Sequence, residues 1–301
     1  MRSTSAPPRT RAATSTRSGV RSTLRLGHIA YSNCLPVHAE LLGDGAGAGV
    51  EIVEGVPTDL NRKLVRGEID LAPASSIEFA RHADRYRILP DLVIGSRGPV
   101  RSILFVSDRP PSELAGATIA LPTASATSLV LLRILLRSYW GVEDARFVPF
   151  EQQRDDPRDS GATAALFIGD VALRRDLGMW AYRADLGEAW TAHTGLPFAF
   201  AVWQTPRPDH PLLGEVHRRL VASRDRSLAD TDALAERSAA GFDISPDRLA
   251  SYWRELAYDL NGEMIRGLER FYREAAEIGE LPDVPALRWA ELTHPDFPEE
   301  R

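Results

Sequence analysis

Leu24-Arg25-Leu26-Gly27-His28-Ile29-Ala30-Tyr31-Ser32-Asn33-Cys34-Leu35-Pro36 is a short apolar strand that runs straight into a polar turn of small residues. Leu24, Leu26 and Ile29 are suited to burial, and Gly27 and Ala30 let a second backbone come close. Ser32 or Asn33 is suited to cap a helix through Val37, Leu41 and Leu42. The exposed N–H groups of such a helix start predict an anion site. The pattern recurs at residues 50–58, and again at 69–80, where Ile69-Asp70-Leu71-Ala72-Pro73-Ala74-Ser75-Ser76 precedes a helix through Ile77 and Phe79. Strand, polar turn and helix in alternation predict an α/β fold with a parallel sheet, whose ligands gather at the carboxyl ends of the strands.

Further strands are expected at 86–94, 101–106, 118–122, 146–150, 164–168 and 194–203, and helical periodicity runs from Asp209 to Phe271. The pattern divides the chain into a leader (1–22), a first lobe (23–110 plus 200–301) and a second lobe (111–199). The chain crosses between lobes near 110 and returns near 200. Residues 151–161 are expected to form a surface loop.

The net charge of −6 excludes a general nucleic-acid binder. Arg2, Arg9, Arg11, Arg17 and Arg21 stand in a leader with no acidic residue, and without them the remainder is near −11. That leader has no apolar run long enough for a secretory signal or a membrane span. It is read as a disordered extension, with an organellar transit peptide as the alternative, and a cytoplasmic location is expected. Cys34, the lone cysteine, excludes an intrachain disulfide and a cysteine-based metal cluster, and it is read as a buried thiol rather than a nucleophile. Lys63 is the lone lysine and lies in a polar helical run, which argues against Schiff-base chemistry.

The candidate chemistry lies in the strand-end turns: Tyr31 to Asn33, Ser75-Ser76, Arg101-Ser102, Ser125 to Ser128, and Gly169-Asp170. Hydroxyls and amides dominate them, which suits a small organic anion. Any one of these turns taken alone is better read as a helix cap; their recurrence in one α/β pattern points to a shared cleft. The sequence contains no dinucleotide or nucleotide phosphate loop and no zinc-protease motif, and its histidines are dispersed. Asp170 is a possible general base, although an Asp after glycine at a helix start is also an ordinary cap.

Gly27-His28-Ile29-Ala30-Tyr31-Ser32-Asn33 with Pro36, Leu71 to Ser76, Val100-Arg101-Ser102-Ile103, Thr127-Ser128, Ile168-Gly169-Asp170, and Asp185-Leu186-Gly187 with Trp190 and Leu196-Pro197-Phe198 together resemble the chorismate dehydratases of the futalosine route to menaquinone. The resemblance spans roughly 24–272 in the expected order. It implies a two-lobed fold like type II periplasmic binding proteins, with the ligand between the lobes. It also implies loss of water from chorismate to give 3-[(1-carboxyvinyl)oxy]benzoate, with no metal, cofactor, nucleic acid or membrane involved. Ser75, Ser76, Ser102, Thr127 and Ser128 would then anchor carboxylates, and Tyr31 and Asn33 would lie near the ring; Arg101 and Gly169 join the substrate-binding set, and Asn33 and Asp170 the catalytic one. An amide takes up no proton near neutral pH, so Asn33 is expected to hydrogen-bond rather than act as a base. The substrate's own enolpyruvyl carboxylate is the expected proton acceptor, with Asp170 second. Trp203 and residues 196–198 are expected near the hinge or the cleft wall. Two alternatives stand: a cytoplasmic anion-binding or sensor protein of the same fold, and the dihydroxynaphthoate synthase, against which the Gly169-Asp170 pair argues. The oligomeric state is not legible.

Overall fold

The computed structural model describes residues 23–292, so the expected disordered leader lies outside the described residues. The strands are β1 (Leu24–Ile29), β2 (Val50–Gly55), β3 (Ala72–Ser75), β4 (Arg87–Ser96), β5 (Ile103–Ser107), β6 (Thr118–Pro122), β7 (Arg146–Phe150), β8 (Ala164–Ile168), β9 (Tyr182–Asp185), β10 (Phe198–Thr205) and β11 (Leu256–Ala257). The helices are α1 (Leu35–His38), α2 (Pro57–Val65), α3 (Ser76–Arg81), α4 (Thr127–Ile134), α5 (Gly169–Arg174), α6 (Leu186–Thr194), α7 (Leu213–Ala229), α8 (Thr231–Phe242), α9 (Pro246–Glu255) and α10 (Gly262–Glu277).

The strands build two lobes of mixed α/β structure. In one, the sheet runs β11-β4-β10-β3, and the parallel pair β1-β2 joins it through the Leu26–Leu71 bridge and the Gly27 N–H donating to the Leu71 carbonyl. In the other, the order is β7-β6-β8-β5-β9. The expected parallel sheet is therefore mixed. β10 runs antiparallel to β3 and β4, and β5 antiparallel to β8 and β9, while β6 is parallel to β7 and β8. Apolar runs such as Ala164–Ile168 are buried on both faces, so their pattern carries no information on strand direction. The crossing also moves. Because β5 pairs in the second sheet, the chain passes over at 97–102 rather than near 110, and it returns at 195–197.

The return crossing is fixed by packing. Trp190 of α6, Phe198 of β10 and Phe271 of α10 meet edge to face, with ring centroids 5.1 and 5.0 Å apart about Phe198. The Trp190 indole N–H donates to the Pro197 carbonyl at 3.2 Å. Gly267 lets α10 lie on that same carbonyl, since a Cβ there would come within 2.0 Å of the Pro197 oxygen. The apolar residues Met264, Leu268, Phe271, Tyr272 and Ala275 recur on one face of α10 and are buried, which is the helical stripe visible in the sequence. No helix among the described residues is long and apolar enough to cross a membrane.

Candidate functional site

Between the lobes lies a cleft at the strand ends, lined by Tyr31 and Asn33 after β1, Ser75 at the end of β3, Ser102 before β5, Ser125 after β6, and Gly169 after β8. Ile29, Ile94, Ile103, Ile168 and Phe200 give it apolar walls. No charged side chain lines it among the described residues. An anion here would be held by hydroxyls, amides and N–H groups, and a flat carbon ring would lie between the aliphatic walls. The Tyr31 hydroxyl and the Asn33 side-chain oxygen are buried and have no partner among the described residues. Buried polar atoms are normally paired, so two orphans on one turn facing one cleft point to a ligand. Burial, reinforced by Asp170 and Glu151, pushes the Tyr31 phenol up to about 12, so it stays protonated as a donor.

The opening turn is built differently from the capped helix expected of it. Ser32–Cys34 forms a single 3₁₀ turn leading into the short α1, and neither carries a side-chain cap from its own residues. The cap comes from the other lobe. Asp170, on the first turn of α5, accepts the Ser32 N–H with both carboxylate oxygens, at 3.2 and 3.1 Å, and also takes the Ser32 hydroxyl proton. The anion site expected at this helix start is thus filled by the chain's own carboxylate. Burial raises the Asp170 carboxyl above its ordinary value, against the opposing pull of the Ser32 hydrogen bonds.

Other expected site residues lie behind the cleft wall. Ser76 is fully buried, its hydroxyl donating to the Ala199 carbonyl at 2.8 Å. Thr127 Oγ1 accepts the Ile77 N–H at 3.2 Å, so a residue of α4 caps α3 across the interface between the lobes. Ser128 is buried against Ser125, whose hydroxyl donates to it at 3.0 Å; Ser125 is the member of that turn on the cleft. Arg101 adopts a left-handed backbone, φ 62°, and turns its guanidinium outward to Glu255 at 2.6 Å, away from the cleft. Trp203 of β10 is fully buried, and its strand neighbours Phe200 and Ala201 line the cleft in its place.

Tyr252, Trp253 and Tyr258 are not among the site residues expected from the sequence. These residues, at the end of α9 and just past it, reach the site from behind. The Trp253 indole N–H donates to the Ser32 carbonyl at 2.9 Å, the Tyr258 hydroxyl to the Asn33 carbonyl at 3.0 Å, and the Tyr252 hydroxyl to Ser102 Oγ at 2.8 Å. In sequence nothing separates them from ordinary core aromatics; their hydroxyl and indole protons find partners only through the fold.

His28, Cys34 and His38 form the one group of potential metal ligands among the described residues, with ligand atoms within 4.8 Å of one another. The hydrogen bonds argue against an ion there. Trp203 donates to His38 Nε2 at 3.1 Å, which places the His38 proton on Nδ1, and that proton points to His28 Nδ1, 3.1 Å away. A metal on His38 Nδ1 would put a second proton against the indole N–H. Burial holds His28 down at about 4 and His38 well below its ordinary value, and pushes the Cys34 thiol up to about 12, so the cluster is neutral packing.

Comparison with known proteins agrees with this architecture. Residues 24–277 match the family described as menaquinone biosynthesis. The chain is 30% identical to the chorismate dehydratase of Thermus thermophilus over 86% of its own length and 96% of the relative's. Among solved structures, an Archaeoglobus fulgidus protein superposes with a TM-score of 0.68 at 20% identity, covering 86% of this chain and 99% of that one. The periplasmic aliphatic sulphonate binding protein of Escherichia coli superposes with a TM-score of 0.62 at 16% identity, covering 93% and 98%. The fold is that of the two-lobed periplasmic binding proteins, and the chain belongs to the menaquinone biosynthesis family.

Proposed function

We propose that this chain is a chorismate dehydratase, a hydro-lyase that removes water from chorismate to form 3-[(1-carboxyvinyl)oxy]benzoate. The observation that carries the reading is the pair of orphaned polar atoms, Tyr31 Oη and Asn33 Oδ1, facing an uncharged cleft lined with serines and aliphatic walls. In the reaction a proton leaves C3, the C4 hydroxyl departs as water, and the ring becomes aromatic. Aromatisation drives the step and no redox change occurs, so the protein's task is to orient the substrate and stabilise developing charge. Tyr31, Asn33, Ser75, Ser102 and Ser125 supply the hydrogen bonds, and Ile29, Ile94 and Phe200 hold the ring.

The proton acceptor in this scheme is the enolpyruvyl carboxylate of the substrate. Asp170 supports it indirectly: its oxygens are occupied by Ser32, and it stands outside the cleft lining. Incubation with chorismate followed by chromatography tests the function; appearance of the aromatic acid is expected. Binding without product would favour a sensor protein of the same fold.

A further inference from the structure

We propose that Tyr252 is a positioning residue whose phenol makes the Ser102 hydroxyl a hydrogen-bond donor directed into the cleft. The inference rests on the chorismate reading above and adds a residue to it. A serine hydroxyl has one proton and two lone pairs. Tyr252 Oη donates to Ser102 Oγ at 2.8 Å, so one lone pair is spent and the serine proton must point elsewhere. The backbone of Ser102 is already engaged, its N–H donating to the Val100 carbonyl at 2.7 Å and its carbonyl accepting the Gly169 N–H at 2.8 Å. Ser102 lines the cleft, and no protein acceptor takes its hydroxyl proton among the described residues.

The direction of the bond follows from the surroundings. Burial raises the Tyr252 phenol far above its ordinary value, against the opposing effect of Ser102 and Asn33, so it keeps its proton. The Asn33 side chain also lies by the phenol, but its Oδ1 has no hydrogen-bond partner among the described residues, and the phenol proton goes to Ser102 Oγ. The frame is hydrogen-bonded on the same side: Trp253, next to Tyr252, and Tyr258, just past α9, hold the carbonyls of Ser32 and Asn33. One short segment thus fixes the Tyr31–Asn33 turn by its backbone and the opposite wall of the cleft by a hydroxyl. In the bound state the Ser102 proton would meet a substrate oxygen, either a carboxylate or the departing hydroxyl.

A double-mutant cycle tests this with chorismate as substrate. Tyr252→Phe keeps the ring and is expected to lower kcat about tenfold with KM changed less, the size of one lost hydrogen bond to a reacting group. Ser102→Ala should cost at least as much, and the double variant should match Ser102→Ala within about twofold, because Tyr252 acts only through that hydroxyl. Replacement of Tyr252 by a fluorinated tyrosine, which keeps the shape and acidifies the phenol, should bring an alkaline limb into the kcat profile at lower pH than in wild type. Additive losses in the cycle, or a pH profile unmoved by fluorination, would overturn the inference while wild-type turnover leaves the chorismate reading standing. Absence of turnover by wild type would overturn both.

Discussion

Gly169 faces the ring of Tyr31 across the cleft, so closely that a Cβ at position 169 would lie 3.0 Å from both Cδ2 and Cε2. The glycine also holds φ at +62°, where an L side chain costs roughly 1–2 kcal/mol. Gly169→Ala is therefore expected to displace the Tyr31 ring and raise the KM for chorismate about tenfold or more, with a smaller loss of thermal stability. Steady-state kinetics alongside a melting curve separate the two effects.

Asp170 and Ser32 tie the lobes together, and the two roles open to the carboxylate predict opposite outcomes. As a tie, Asp170→Asn keeps an acceptor oxygen for Ser32 and should lose only a few-fold in kcat/KM, whereas Asp170→Ala strips the Ser32 N–H of its cap and should cost about 1–2 kcal/mol in stability. As a base, Asp170→Asn would abolish turnover with binding intact. That result would remove the substrate carboxylate from the mechanism.

The same carboxylate makes a testable contribution to pH dependence. Its folded value lies above the ordinary 3.8, so between those two values the native state holds more protons than the unfolded one. Its contribution to stability is then greatest below 3.8 and declines as pH rises to the folded value. Denaturant unfolding of wild type and Asp170→Asn across this window should show the wild-type advantage shrinking with rising pH and then levelling.

Asn33 offers an orphaned oxygen to the ligand while its carbonyl is held by Tyr258. Asn33→Ala should leave the turn in place and lower kcat by about a hundredfold, the scale of losing one donor or acceptor that acts on developing charge. A KM change larger than the kcat change would assign Asn33 to ground-state binding instead.

Trp203 is wholly buried, and its indole N–H satisfies His38 Nε2. Trp203→Phe leaves that nitrogen without a donor in an apolar site, at a cost of about 1–3 kcal/mol. A drop in the unfolding midpoint checks it.

The fold was legible where local chemistry and position coincide. The run from Leu24 to Asn33 reads as strand and turn, and Tyr31, Asn33, Ser75, Ser102 and Gly169 do share one cleft. Strand direction was not legible, because a run buried on both faces looks alike in parallel and antiparallel sheets. Nor was the division of labour among neighbours. Ser75 faces the cleft and Ser76 the interior, Ser125 the cleft and Thr127 the N-terminus of α3, and only the backbone geometry decides which. Tyr252, Trp253 and Tyr258 were hidden because a buried aromatic that supports a site from behind looks in sequence like any aromatic of the core.

The bonds from Ser32 to Asp170 and from Ile77 to Thr127 join the lobes, and both use groups outside the cleft lining. Parting of these two bonds would widen the cleft to an entering molecule. Substrate capture then becomes a two-step process: its observed rate climbs with concentration at first and reaches a ceiling set by the opening of the protein itself. Loosening the Asp170 bond should lift that ceiling even as it weakens the closed state.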